Sequence, residues 1–303
     1  ELGTPFVRQM LTETKPNSYS GLVKISGLSH GTDVWFTNAQ DLVSGKGEFG
    51  RIDFDDIIGC RDDIMGDLIN FGLAPSRAFE IMEFVRRGLP SRNKEKWEEY
   101  AAEMRRNKVP AWYIWSAGKI KYLFPKAHAC AYVLMAVRIA WFKVYKPLLF
   151  YSAFFSKRAV QFDHDNMVLG KNAVRNKIKE LENIPSYQQT VKDVDLLVTL
   201  NVAYEMLLRG FHFLPVDIHK SEARDFKMEG NGLRMPFMTI DGLGQQVALG
   251  IIEARNERTF ISKEDVRERT KINKTVFEIM EKNGAFKDLE EENDIFSQGL
   301  FAL

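Results

Sequence analysis

The residues of this sequence whose types and spacing could best support chemistry are cations placed where helices are expected to begin. Lys126 and His128 open the longest apolar segment, which runs from Lys119 to Arg138. Pro125 favours a helix start there, because its missing N–H costs nothing in a first turn. Cations on helices without a reactive nucleophile suit a polyphosphate or phosphodiester ligand, which they bind by charge-assisted hydrogen bonds.

Three further candidates lie upstream. Ser29 and His30 stand in the glycine-bracketed stretch 27–35, which predicts a loop of small polar residues. Arg61 stands at a predicted helix start, where the two aspartates that follow it suit the positive end of the helix dipole. These residue types could together contact the phosphates, sugar or base of a nucleotide.

Each of these candidates also has a purely structural interpretation. Arg61 could form an ion pair with a neighbouring carboxylate, His128 could be a hydrogen-bonded core histidine, and Arg138 could pair with a buried carboxylate. The adjacent pairs Asp55–Asp56 and Asp62–Asp63 are not expected to bind metal. Neighbouring helical side chains point apart, whereas a two-metal site needs carboxylates that converge.

Composition limits the class of protein. The chain has 303 residues, is 45% hydrophobic and 27% charged, and carries a net charge of only +1. Nucleic-acid binding must therefore come from local patches rather than from the field of the whole molecule. The two cysteines fit a reduced, cytoplasmic protein. No P-loop, Rossmann glycine pattern or zinc ligand set occurs, and charges interrupt the longest apolar segment.

The elements that must position these residues are mainly helical. Short helices are predicted up to about Ser156, and the apolar segment after Pro125 is predicted to be a buried helix. A more polar helical region follows and includes a basic helix, 171–179. From Phe211 apolar and polar residues alternate around Gly230-Asn231-Gly232, which predicts a small β-hairpin.

A glycine motif before the last helices offers a second site. Gly242, Leu243 and Gly244, followed by Gln245, form the pattern of a helix-hairpin-helix motif. Its glycines let a turn approach a phosphate, and the N–H groups of the next helix face the phosphate oxygens. An ordinary glycine turn is the alternative. A weaker second copy spans Thr270 to Lys274 and would add Lys271 and Lys274 to the phosphate contacts, although a solvated turn is also possible there.

Long motifs across the chain resemble one protein family, the replicative DNA polymerase III alpha subunit of the PolC type. They are Gly3-Thr4-Pro5-Phe6-Val7-Arg8-Gln9-Met10-Leu11, Ile25-Ser26-Gly27-Leu28-Ser29-His30-Gly31-Thr32-Asp33-Val34-Trp35, Ile58-Gly59-Cys60-Arg61-Asp62-Asp63-Ile64-Met65 and Phe124-Pro125-Lys126-Ala127-His128-Ala129. The resemblance extends over essentially the whole chain. It implies the C-terminal part of a polymerase, whose catalytic palm carboxylates lie outside this sequence.

The resemblance also implies a domain organisation. Residues 1–156 would be the fingers, 157–214 a helical connecting and duplex-binding region, and 215–286 a β-hairpin with tandem helix-hairpin-helix motifs. Residues 287–303 would be a tail. The alternative from the residues alone is a non-catalytic module that binds the DNA backbone.

Site roles follow from the resemblance. The incoming nucleotide would meet Ser29, His30, Arg61, Lys126 and His128, with Mg²⁺ held by the palm rather than by these residues. Primer-template DNA, deoxynucleoside triphosphates, a sliding clamp and other replisome subunits would be the partners, with no membrane involved. Gln298, Leu300 and Phe301 would contact the clamp, although their spacing is one residue shorter than the usual peptide. An unstructured acidic tail is the alternative.

Overall fold

A computed structural model describes residues 2–292, so Gln298, Leu300 and Phe301 lie outside the described residues. The chain forms two compact units that divide between Ala140 and Trp141. The described residues are mainly helical with one small sheet, which confirms the predicted fold class. The domain boundaries drawn from the sequence remain predictions.

The first unit is entirely helical apart from its turns. Its elements are α1 (Pro5–Thr14), α2 (Tyr19–His30), a π-helical turn (Trp35–Ala39), α3 (Gln40–Ser44), α4 (Arg61–Asn70), α5 (Pro75–Arg86), α6 (Lys94–Arg106), α7 (Ala111–Lys119) and the larger part of α8 (Lys126–Tyr145). One apolar core joins most of these helices. A smaller cluster packs the start of α8 on α2, through Val23, Cys60, Ala129 and Val133.

The second unit combines helices with a three-stranded sheet. Its elements are α9 (Pro147–Lys157), α10 (His164–Leu169), α11 (Lys171–Glu182), α12 (Val191–Leu208), β1 (His212–Leu214), β2 (Lys227–Glu229), β3 (Gly232–Arg234), a 3₁₀ turn (Phe237–Thr239), α13 (Gln245–Glu257), α14 (Lys263–Arg269) and α15 (Lys274–Lys282). A single apolar core runs from Tyr151 in α9 to Phe286 after α15.

The predicted hairpin is present but belongs to a larger sheet. Strands β2 and β3 pair antiparallel across the Gly230–Asn231 turn, as the alternation indicated. Strand β1 pairs with β3 in parallel, so the order is β1-β3-β2. Local sequence carries no signal for this parallel pairing, because the connection from β1 to β3 is long and irregular.

The prediction of a loop at 27–35 is wrong for the first half of that stretch. Helix α2 continues through Gly27 and ends at His30, so Ser29 and His30 lie in its last turn. Gly27 is needed for packing, because a Cβ there would lie 2.4 Å from both the Sγ of Cys60 and the carbonyl oxygen of Gly59. The glycine allows two chain segments to touch, and it does not interrupt the helix.

The expectation that α8 is a buried helix is also wrong. Only Ala129 and Val133 are buried along its 20 residues. The buried residues lie only near its N-terminal end, although Lys143 further along pairs with Glu205. Large side chains such as Met135, Ile139 and Tyr145 are more than half exposed. By length and mean hydropathy it is the one described helix that could cross a membrane, and a single helix of this kind is weak evidence of a membrane span.

Gly27→Ala should lower the free energy of unfolding by about 1–3 kcal/mol, because the added methyl forces α2 away from Gly59 and Cys60. Gly66→Ala is the matched control, since Gly66 lies inside α4 with no atom near its would-be Cβ. This control should leave stability unchanged or raise it by up to about 1 kcal/mol. Urea unfolding of both variants checks the prediction, and equal stability of the two would contradict it.

A buried histidine makes the second unit sensitive to acid. The side chain of His164 is 6% exposed. The backbone N–H of Val216 donates to its Nε2 at 3.3 Å, and an oxygen of Asp165 lies 3.1 Å from its Nδ1. Burial lowers the pKa of His164, although the Asp165 carboxylate acts in the opposite direction. Protonation of Nε2 would also break the bond from Val216, so the fold favours the neutral ring.

Stability should therefore fall as the pH drops below about 6.5, because the unfolded chain then binds a proton that the folded chain resists. The variant His164→Gln has no titrating side chain at this position, so it lacks this contribution to the pH dependence of stability. The difference in unfolding free energy between wild type and His164→Gln should shrink between pH 8 and pH 5, as measured by urea unfolding at each pH. A constant difference would show that His164 does not contribute to the acid sensitivity.

Candidate nucleotide and nucleic-acid sites

Three separate chain segments meet in the first unit and bring most of the predicted cations together. The last turn of α2 lies against the residues before α4 through Gly27. The backbone N–H of Arg61 donates to the carbonyl of Phe124 at 3.1 Å. The N–H of Lys126 donates to the carboxylate of Asp62 at 2.7 Å. The end of α2, the start of α4 and the start of α8 therefore form one surface, which we call the fingers site.

A row of aromatic rings crosses the fingers site. The ring centroids of His30 and Phe124 are 4.8 Å apart, those of Phe124 and His128 are 5.2 Å apart, and those of His128 and Tyr132 are 4.7 Å apart. His30, His128 and Tyr132 are exposed. We call these four residues the ring ladder. Exposed planar rings of this kind suit stacking against a nucleotide base.

Sequence reasoning missed two members of the ladder. Phe124 and Tyr132 flank His128 at spacings of four residues, which places Tyr132 beside His128 on one helix face. That spacing was available as a signal. The alternative that His128 is a hydrogen-bonded core residue is wrong, because its side chain is exposed.

Lys126 is held in place by an ion pair. Its Nζ lies 2.9 Å from Asp63, and this contact raises the pKa of the Lys126 ammonium. The side chain is still 46% exposed, whereas that of Asp63 is only 10% exposed. Asp63 also accepts hydrogen bonds from the backbone N–H groups of Gly59 and Cys60 at 3.0 and 2.9 Å. The ammonium of Lys126 is therefore held in position, charged and accessible to solvent.

Arg61 has an incomplete set of partners. Its Nε lies 3.8 Å from the Asp62 carboxylate, which is too long for a hydrogen bond, and this buried nitrogen has no acceptor among the described residues. Beyond this long contact with Asp62 the described residues give the guanidinium no ion pair, and the side chain is 35% exposed. A planar guanidinium can bind a phosphate through two parallel hydrogen bonds.

Ser29 and Arg138 make no described contact with the cations of the fingers site. The hydroxyl of Ser29 donates to the carbonyl of Ser26 at 2.9 Å, and no described contact links it to Arg61 or Lys126. Arg138 is exposed on α8 and has no ion pair among the described residues. The alternative that Arg138 pairs with a buried carboxylate is therefore wrong.

A cleft of about 570 Å³ opens beside Lys126 and contains four aspartates, yet their carboxylates are engaged by the protein or stay apart. Asp63 binds Lys126, and Asp67 accepts a hydrogen bond from the hydroxyl of Tyr113 at 2.9 Å. Burial raises the pKa of Asp67, and the Tyr113 hydrogen bond partly offsets this effect. Among residues 2–292 no group of three metal-ligating side chains converges. The carboxylates of this cleft thus do not fit a catalytic metal site.

Two turns in the second unit form the other candidate site. Hairpin A (240–244) precedes α13, and hairpin B (270–273) joins α14 to α15. They are neighbours, because a Cβ on Gly242 would lie 3.4 Å from the Cγ2 of Val276 in the first turn of α15. The N-terminal ends of α13 and α15 therefore belong to one surface, which we call the paired hairpins.

The two glycines of hairpin A differ in their backbone conformation and surroundings. Gly242 has a φ of +78°, a backbone conformation that favours glycine. Gly244 has an ordinary φ of −77°, and a Cβ there would meet no atom within 4 Å. Nothing in the described protein requires glycine at this position, so the space in front of it is open to a ligand. Leu243 is buried and anchors the turn, whereas Gln245 is exposed at the start of α13.

Hairpin B presents exposed cations. Lys271 is exposed, and the side chain of Lys274 is 90% exposed, with its Nζ 3.9 Å from Glu278. The side chain of Asn273 caps α15 by accepting from the N–H of Val276 at 2.9 Å. Hairpin B is thus a true link between two helices with an ordered cap.

Comparison with known families gives one match in each unit. Residues 1–108 match the family model of the bacterial DNA polymerase III alpha subunit finger domain. Residues 210–294 match that of the helix-hairpin-helix motif. The first match contains α2 and α4 of the fingers site, and the second contains the paired hairpins.

Relatives of this chain come from several bacteria. The DNA polymerase III PolC-type of Halalkalibacterium halodurans is 52% identical over 295 residues, and that of Bacillus subtilis is 50% identical over 295 residues. The protein of the same name from Thermotoga maritima is 51% identical over 291 residues. These alignments cover 96–97% of this chain and 20% of each relative, so the chain spans about a fifth of their length. The chain belongs to the PolC-type family of bacterial DNA polymerase III.

Proposed function

We propose that this chain supplies the incoming-nucleotide and duplex contacts of a DNA-directed DNA polymerase, which adds deoxynucleotides to a primer 3′ end. The observation that carries the proposal is that hydrogen bonds hold together the segments that bear Arg61, Lys126 and the ring ladder. A nucleoside triphosphate carries both a planar base and a run of negative phosphates, and this surface offers rings and cations side by side. The primer 3′-hydroxyl is the attacking group in this reaction, so the protein contributes positioning and charge stabilisation rather than a nucleophile of its own.

In this proposal the side chains have separate roles. The guanidinium of Arg61 and the ammonium of Lys126 contact the phosphates, where they offset charge that develops during transfer. His30, His128 and Tyr132 contact the base or sugar. Ser29 keeps the role that the family resemblance implies, through its place next to His30. Mg²⁺ would be held by palm residues outside this chain, since the carboxylates here do not fit it.

The paired hairpins would bind the duplex without reading its sequence. Backbone N–H groups at the starts of helices can bind phosphate oxygens, and in this proposal those of α13 beside Gly244 and of α15 beside Lys274 do so. We extend the proposal to the parts that lie outside the described residues, where Gln298, Leu300 and Phe301 would dock on a sliding clamp. A cytoplasmic replisome is the corresponding setting.

Arg61→Ala in the complete polymerase should lower kcat/KM for the incoming nucleotide by about 10²-fold or more, since a transition-state charge contact is lost. Duplex affinity should stay nearly unchanged. Arg138→Ala is the control, because Arg138 is exposed on α8 about three turns beyond Lys126 and has no ion pair within residues 2–292. Single-nucleotide incorporation kinetics check this, and an unaltered kcat/KM for Arg61→Ala would remove Arg61 from the site.

Gly244→Val in the 303-residue chain should weaken binding to a blunt DNA duplex by about tenfold, the effect of losing roughly one charge-assisted backbone contact. The valine side chain would fill the open space in front of α13. Gly250→Ala, inside α13 with equally open surroundings, is the control. Fluorescence anisotropy at low salt measures both affinities. Unchanged affinity of Gly244→Val would exclude hairpin A from the duplex contact, and an absence of binding by the wild-type chain would contradict the duplex-binding role.

A further inference from the structure

The basic helix predicted at 171–179 is α11, and it carries a row of cations that belongs neither to the fingers site nor to the paired hairpins. Lys171, Arg175 and Lys179 are spaced four residues apart, so they form one line along the helix. All three side chains are exposed. We call them the basic stripe. It extends over about 12 Å of helix axis, from the rise of 1.5 Å per residue.

The basic stripe has no acidic partner within the described residues. Lys177, on the flank of the same helix, pairs with Glu180 at 2.7 Å, but no ion pair or hydrogen bond engages the side chains of the stripe. The exposed residues between the cations are Asn172 and Asn176, whose amides can also bind phosphate oxygens. By contrast, arginines on α5 such as Arg77 and Arg86 each meet a glutamate.

This arrangement works against the helix that carries it. Like charges four residues apart repel each other. Lys171 is the first residue of α11, where the helix dipole disfavours a cation, and the first turn contains neither an acidic residue nor a side-chain cap. An external anion that runs along the helix would remove both unfavourable terms.

The stripe is built into the same core as the paired hairpins. The opposite face of α11 buries Val174, Ile178 and Leu181 in the apolar core that also contains Ala248 of α13 and Val276 of α15. Helix α10, which leads directly into α11, contacts the end of α15 through His164 and Asn283, whose side-chain nitrogens are 3.2 Å apart. The stripe therefore has a fixed position relative to the hairpins.

We propose that Lys171, Arg175 and Lys179 contact the phosphodiester backbone of the DNA duplex that the paired hairpins hold, as a third and independent backbone contact. This inference rests on the proposed duplex-binding function. A duplex strand presents a phosphate every 3.4 Å or so along its axis, so three long side chains over about 12 Å can reach several phosphates of one strand. The contact would be independent of sequence and sensitive to salt.

The test replaces all three cations in the full chain, as Lys171→Gln/Arg175→Gln/Lys179→Gln. Affinity for a blunt duplex is measured by fluorescence anisotropy at salt concentrations between 50 and 200 mM. Each phosphate contact contributes about 0.9 to the slope of log affinity against log salt concentration, so the slope should become shallower by about 2 to 3. The variant is expected to fold because all three side chains are exposed, and thermal unfolding checks this.

The matched control is Arg158→Gln/Lys192→Gln/Arg224→Gln, which removes the same charge from exposed positions elsewhere in the second unit. Its slope should change by less than 1. An unchanged slope in the stripe variant, or an equal change in the control, would overturn the proposal. The proposal would also be overturned if the stripe variant lost more affinity for a single strand of the same length than for the duplex.

If Gly244→Val weakens duplex binding while the stripe variant does not, the proposal for the basic stripe is wrong and the proposed function is retained. If the wild-type chain binds no duplex, both fail.

Discussion

The first turn of α4 is the structural constraint on which the fingers site depends. The carboxylate of Asp63 accepts the N–H groups of Gly59 and Cys60 and pairs with the ammonium of Lys126. The neighbouring Asp62 accepts the N–H of Lys126, and the N–H of Arg61 donates to Phe124. Two adjacent carboxylates thus join α4 to the start of α8 and neutralise the positive end of α4. These contacts fix the position of the Lys126 ammonium relative to the first turn of α4.

Most of the local structure of this site was predictable from sequence, and the errors came from tertiary contacts. The start of α4 and the start of α8 follow from Asp62, Asp63 and Pro125, which act through local geometry. The end of α2 did not follow, because Gly27 marks a close contact with Gly59 and Cys60 from a distant part of the chain. The exposure of α8 could not be predicted either, since an apolar helix indicates burial only when its partners are present.

The second unit shows the same division between local and distant causes. Gly242 was predictable as a turn residue, and its positive φ is the local reason. The contact between the two hairpins, through Gly242 and Val276, is a tertiary feature that the sequence pattern of the second hairpin does not show. The parallel pairing of β1 with β3 was likewise beyond local reasoning. The ring ladder differs from these cases, because the spacing of Phe124, His128 and Tyr132 was visible in the sequence.

The central claim is that the ring ladder and the two cations of the fingers site face the incoming nucleotide. Photo-cross-linking tests this most directly, with an azido-substituted deoxynucleoside triphosphate bound to the complete polymerase on primer-template DNA. After illumination, mass spectrometry identifies the labelled residues. We predict label on His30, His128 or Tyr132, and less of it when unmodified nucleotide competes. Competable label confined to residues outside the fingers site would contradict the account.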